Sequence, residues 1–180
     1  VPDDQSVPLD ASPGDRIALA VERFGEADVA DRAAALLTGT NEGEEFLLWV
    51  GGRHAQGVLD GAPALYWPEV WGARALLYAW DDRAAPAIRD GLDNQAWRVR
   101  EMCCRVVAAR ALPFGTELVP LLRDEVARVR GNAARAIGFV GDESHALEVT
   151  KVLKDPELDV RKQVGAALKQ LTERLGHPIG

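Results

Sequence analysis

Cysteine, histidine and lysine are scarce in this sequence, and long apolar runs are missing altogether. The only two cysteines, Cys103 and Cys104, are adjacent. They exclude a disulfide framework and, within an apolar helical stretch, read as two small core residues. The three histidines, His54, His145 and His177, stand far apart, and none is at metal-ligand spacing with Cys or an acid. His145, in the turn-like GDESHAL, and His177, in the C-terminal tail, are expected on the solvated surface. No apolar run approaches the roughly 20 residues that a membrane span needs. The opening stretch VPDDQSVPLDASPGD is acidic and proline-bearing, unlike a signal peptide. No phosphate loop, nucleophile elbow or dinucleotide fingerprint occurs. The expectation is a non-catalytic, cytoplasmic protein with no metal, no cofactor and no membrane association.

What is present is a globular composition, 47% hydrophobic and 27% charged, in 180 residues. The net charge of −7 is unevenly spread: residues 1–60 hold 12 acids and 4 bases, and residues 61–180 hold 16 acids and 17 bases. An acidic molecule is a poor non-specific binder of nucleic acid, so the later bases must be judged by where they lie. Arginine outnumbers lysine 17 to 4, in keeping with a GC-rich bacterial genome.

Three segments repeat: DNQAWRVREMCCRVVAARAL from Asp93, DEVARVRGNAARAIGFVGDE from Asp124 and DPELDVRKQVGAALKQLTER from Asp155. Their Val-Arg pairs, Val99-Arg100, Val129-Arg130 and Val160-Arg161, recur at spacings of 30 and 31 residues, each with an Asp six or seven positions upstream. Small or apolar residues follow at helical spacing, such as Cys103 and Val106, Ala133 and Ile137, Val164 and Leu168. Ahead of each Asp lies a second amphipathic stretch: PAIRDGLD, LVPLLRD and VTKVLKD. Self-similarity at this period is the mark of stacked helix pairs that cannot bury their apolar faces singly.

On these residues the chain resembles the HEAT-like repeats, in particular the short bacterial type first noted in phycobilisome lyases. The resemblance covers roughly residues 68–172 and is closest in VRGNAARAIGFVGD. It implies an all-α fold, a right-handed α-α superhelix of stacked antiparallel helix pairs. It also implies a structural ladder of Asp93, Asp124 and Asp155 with Arg100, Arg130 and Arg161. An Arg fork can bridge its own turn and the next, which suits that role.

The expected organisation is a disordered tail over 1–12 and a single helical domain over 13–172, followed by a C-terminal tail over 173–180. Within the domain, residues 13–60 form irregular capping helices, 61–92 a degenerate repeat and 93–172 the HEAT-like repeats. SPGD at 12–15 reads as a helix start, with Ser12 as N-cap and Pro13 in the first turn. In the degenerate repeat, YWPEVWGARALLYAW puts Trp71 in the ladder Arg's place, and Gly72, Ala73 and Ala75 allow another helix to approach closely. The aromatic cluster reads as core. Its alternative is a pocket formed by Trp67 and Trp71 with Arg53 and His54, which follow the helix-ending turn WVGG.

Placing the buried Val of each Val-Arg helix at 0° and adding 100° per residue points Arg98, Glu101 and Arg105 away from the core. Arg128 and Arg135 do the same in the next helix, and Lys162 and Lys169 in the last. In HEAT-like proteins this helix lines the concave surface, so the resemblance implies a groove with basic rows. Arg16, Arg23, Arg83 and Arg89 are expected outside it. The leading function is a scaffold that binds a protein partner, acidic in character, as a monomer or weak oligomer. One alternative is nucleic-acid or phosphate binding, as in the DNA alkylation repeat proteins. Another is an accessory subunit like the phycobilin lyases, and a third has the acidic N-terminal segment covering the groove.

Overall fold

A computed structural model describes residues 6–179, and about 70% of the chain is helical, with no strand among the described residues. No helix among them is long and apolar enough to cross a membrane. The chain divides into two compact units, residues 1–88 and 89–180.

The first unit contains α1 (Pro13–Phe24), α2 (Glu26–Leu37), α3 (Glu44–Gly51), α4 (Arg53–Leu59) and α5 (Trp67–Ala75); the division falls within α6 (Ala85–Gly91). Ser12 caps α1, its Oγ accepting from the Asp15 amide at 3.2 Å, with Pro13 in the first turn. Ile17 and Ala20 face inward, and so does Arg16, which is 4% exposed. Arg16 was expected only to lie outside the groove, and helical spacing gives no sign of its burial or its partners. Its Nε donates to the Trp49 carbonyl at 3.1 Å, and its Nη1 donates to the carbonyls of Leu9 and Ala11. Residues 9–11 are therefore folded onto α1 rather than forming part of a disordered tail; residues 1–5 of that expected tail lie outside the described residues. The Arg53 amide also donates to the Leu9 carbonyl at 3.2 Å.

The turn WVGG ends α3 at Gly52, with φ +59°, and α4 follows at once. A Cβ on Gly52 would lie 2.6 Å from Arg16 Cζ, so this glycine makes room for the buried guanidinium. Trp71 is 2% exposed and packs in the core with Trp49, Phe46, Ile17 and Val29. Its helix α5 meets α2 at Gly72, where a Cβ would sit 2.5 Å from the Ala33 carbonyl oxygen and 2.9 Å from the Leu37 nitrogen.

The second unit contains α7 (Trp97–Arg110), α8 (Gly115–Leu118) running into a tight turn at Val119–Arg123, α9 (Ala127–Val140), α10 (Glu143–Thr150) and α11 (Leu158–Leu175). Helix α9 packs between α7 and α11. The buried faces carry Val99, Cys103, Val106 and Val107, then Val129, Ala133, Ala136 and Ile137, then Val160, Val164 and Ala167. At Gly138 a Cβ would lie 3.0 Å from Ala167 Cα, which marks the close approach of α9 to α11. Helix α11 runs to Leu175, past the expected limit of 172, and Arg174 donates to the Gly141 carbonyl near that end.

Consecutive turns of this unit are joined by arginine. Arg100 donates through Nε and Nη2 to the two Asp124 carboxylate oxygens at 2.8 and 3.1 Å, and through Nη1 to the carbonyls of Asn94 and Gln95. Arg130 repeats the pattern, with the Asp155 carboxylate at 2.7 and 3.0 Å and the carbonyls of Asp124 and Glu125. Arg161 donates to the carbonyls of Asp155 and Pro156. Each carboxylate also caps its own turn, Asp124 accepting from the Val126 amide and Asp155 from the Glu157 amide. In the first turn this role belongs to Asn94, whose Oδ1 accepts from the Ala96 amide at 2.8 Å, and Asp93 is exposed. Asp93 is thus not a rung. The rung stands six residues before its arginine in every turn, and Asp93 stands seven before.

Two outcomes follow from this packing. Gly72→Ala forces backbone of α2 and α5 apart, and overpacking of this kind costs about 1–3 kcal/mol or more. A melt followed by circular dichroism should show a transition several degrees lower; an unchanged transition would contradict the close approach. Arg130→Ala strands the Asp155 carboxylate, whose counterpart Asp124 keeps Arg100. Breaking a fully buried pair costs about 3–5 kcal/mol, less where water reaches it. Hydrogen bonds from Arg130 hold the Asp155 carboxyl below its usual range. The pair's stabilisation is therefore present above that range and lost as pH falls through the lowered value. The variant should melt earlier at neutral pH and lose less than the parent on acidification.

Candidate functional site

In the second unit a groove of about 450 Å³ runs between the first turns of α9 and α11. Arg128, Gly131 and Asn132 line one side, and Glu157, Asp159, Lys162 and Gln163 the other. Its width at the α9 wall follows from Gly131, whose added Cβ would find Gln163 Cγ at 3.4 Å. The lining offers amide and cationic donors beside two carboxylates, so it suits a polar chain with groups of both kinds.

Of the residues expected on the basic rows, Arg105, Arg128, Arg135, Lys162 and Lys169 are exposed and Arg98 is half-buried. Glu101 does not point to solvent. Its side chain is 9% exposed and takes Arg128, with Nη2 and Nε at 2.8 and 3.0 Å from Oε1. The wheel drawn around α7 alone placed Glu101 outside, whereas the neighbouring helix α9 reaches across and covers it. Arg98 lies over the Trp97 ring at 4.2 Å and Arg128 over the same ring at 5.8 Å. Lys162 sits 3.8 Å from Asp159, and Lys169 3.9 Å from Glu173. Arg135 lies 5.7 Å from the centre of the half-exposed Phe139 ring. Arg105 makes no ion pair among the described residues. The rows are therefore a mixed surface in which Arg105 and Arg135 carry the unneutralised charge.

In the first unit Arg53 clasps the Asp10 carboxylate, with Nε 2.5 Å from Oδ1, and so secures the segment before α1. His54 packs edge-on against Trp67 and Trp71, with centroids at 4.8 and 5.1 Å, and the two indoles stack at 6.3 Å. None of these four residues lines the cleft of this unit. That cleft, about 390 Å³, lies between the end of α2 and the starts of α3 and α5. Leu36, Leu47, Leu59, Leu65 and Pro68 form apolar walls, with Glu44 and Glu69 among them. Glu69 is half-buried with no charged partner among the described residues, and burial raises its carboxyl above the ordinary value. Nothing in the sequence marks Glu69, because its environment is assembled from three helices.

The remaining candidates are structural. His145 is not solvated: its side chain is 15% exposed, its Nδ1 accepts from the Asp142 amide at 3.0 Å, and it completes a capping box for α10. The pattern Asp142-x-x-His145 could have revealed it. His177 is exposed. Both cysteines are fully buried, and burial pushes their thiols far up, away from the reactive thiolate. No group of three or more His, Cys, Asp or Glu able to hold a metal occurs among the described residues.

Glu69→Gln tests the cleft through stability. A carboxyl with a raised folded-state pKa favours folding only when protonated, so ionisation at neutral pH is a penalty. Glutamine removes it. The variant should melt above the parent at pH 7, and the gap should close once the pH is below the ordinary carboxyl value. A constant gap across that range would show that ionisation at Glu69 is not the cause.

No protein-family model matches the chain, and no curated protein matches it.

Proposed function

We propose that the protein is a non-catalytic HEAT-like repeat scaffold that binds a protein partner along the face built from α7, α9 and α11. The observation that carries this reading is the groove between α9 and α11, on a face that also carries the exposed cations Arg105 of α7 and Arg135 of α9. In a right-handed solenoid this face is the concave one. The joining of successive turns by Arg100 and Arg130, at the spacing of the sequence repeat, supports the family assignment.

The chemistry of the face favours a polypeptide with carboxylates over a nucleic acid. Phosphate binding rests on several unneutralised cations acting together. Here Arg128 is held by Glu101, and Glu157 and Asp159 border the groove. A peptide offers both acids to Arg105 and Arg135 and amide groups to Asn132 and Gln163.

The test replaces Arg105, Arg135, Lys162 and Lys169 with Gln, leaving Arg98 and Arg128 to their contacts with Trp97 and Glu101. Exposed substitutions of this kind each change stability by about 0.5 kcal/mol or less. The control replaces Arg23, Arg83, Arg89 and Arg123, which are equally exposed; Arg16 is unsuitable because it is buried. Capture of partners from a host extract, at low and high salt, should fail for the first set and persist for the second. Equal losses would leave only long-range electrostatics. Captured material that is nuclease-sensitive and released steeply by salt would favour nucleic acid instead.

A further inference from the structure

Two carboxylates of the first unit, Glu44 and Glu69, have no hydrogen bond or ion pair among the described residues, and both line the same cleft. Every other acid between Glu26 and Asp82 has one or the other. The contrast is sharpest at the start of α3. Glu42 pairs with Arg32 at 3.3 Å and Glu45 with Arg23 at 2.9 Å, whereas Glu44 between them is left to the cleft. No lysine, arginine or histidine lines that cleft, so its charge is of one sign.

The rest of the lining is largely hydrocarbon, from Leu36, Leu47, Leu59, Leu65 and Pro68. Leu65 is 72% exposed and stands at φ +48°, a conformation uncommon outside glycine. A large apolar side chain is thereby held in water at the cleft, where a ligand with an apolar body would cover it. The cleft volume of about 390 Å³ falls within the range of small-molecule pockets, roughly 300–1,000 Å³. An anionic ligand is the wrong match, because the first turns of α3 and α5 already carry Glu44 and Glu69 and would repel it.

We propose that this cleft binds a small organic cation, a primary ammonium on an apolar body, with Glu69 as its counter-ion and the leucines around its hydrocarbon. Glu44, exposed at the start of α3, adds attraction without needing a partner of its own. Glu69 is half-buried, and burial raises its carboxyl. An adjacent ammonium restores the ionised form by pairing with it. The site lies wholly within the first unit and does not rest on the groove of the second, so its failure leaves that reading intact.

The probes are hexylammonium and hexanol, which share one hydrocarbon and differ in charge. Each is titrated into the full chain at neutral pH, followed by the methyl resonances of Leu47, Leu59 and Leu65. The amine should bind about tenfold or more tightly than the alcohol, as a charged hydrogen bond outweighs a neutral one. Glu69→Gln should abolish that advantage while leaving hexanol binding unchanged. Leu65→Gly suits the positive φ and removes only an exposed side chain, and it should weaken both probes alike. In thermal melts the amine should stabilise the parent more than Glu69→Gln, an effect read apart from the ionisation penalty, which is present without any amine. Equal affinity for the two probes overturns the proposal, as does amine binding that survives Glu69→Gln, or no amine binding at all. Tighter binding of a blocked lysine (N-acetyl-lysine methylamide) than of hexylammonium would also overturn it, by making a protein side chain the occupant.

Discussion

The second unit depends on a planar cation that serves two turns at once. An arginine fork satisfies two carbonyls of its own turn and a carboxylate of the next, and that carboxylate caps the turn it belongs to. One rung therefore fixes both the conformation of a turn and the offset between neighbouring helix pairs. Hydrophobic contact alone would hold α9 against α11 but would tolerate sliding along the helix axis. The bidentate geometry does not, because a shift by one helical residue separates both pairs of atoms. The side chains of Arg100 and Arg130 are 12% and 13% exposed and their carboxylates 5%. Such shielding from water gives the rungs more weight than a surface pair carries.

The period of the repeat and the helical character of the chain were legible in the sequence, since Val-Arg pairs at spacings of 30 and 31 report a recurring environment. The first rung was harder to see. Asp93 attracts attention because it is charged, whereas position 94 needs only a side-chain oxygen that can accept from the amide of residue 96. Asparagine supplies that oxygen. Glu101 and Arg128 illustrate a different limit. A wheel drawn around one helix assigns faces, but it cannot show that a long side chain from the next helix will cover one of them. The face was therefore read as more basic than it is.

The first unit was less legible because its order comes from close backbone approach and from one buried cation. Small residues at Gly72, Ala73 and Ala75 do signal a near neighbour, and α2 is that neighbour. Nothing local predicts Arg16, whose partners are carbonyl groups contributed by two separate stretches of chain. The paired glycines of WVGG gain their meaning only with that residue in place: the turn they form stays bare of side chains where the guanidinium lies against it.

That buried guanidinium also moves the effective edge of the first unit. By secondary structure the first described helix begins after Ser12, the cap of α1, and a truncated chain cut there would retain every helical residue among those described. It would also discard the carbonyls of Leu9 and Ala11 and leave the desolvated cation with the Trp49 carbonyl alone. Uncompensated charge in a dry interior is a far larger defect than a frayed helix end. The smallest intact version of this unit must therefore include Leu9, which lies in a described stretch, residues 6–12, that has no helix of its own.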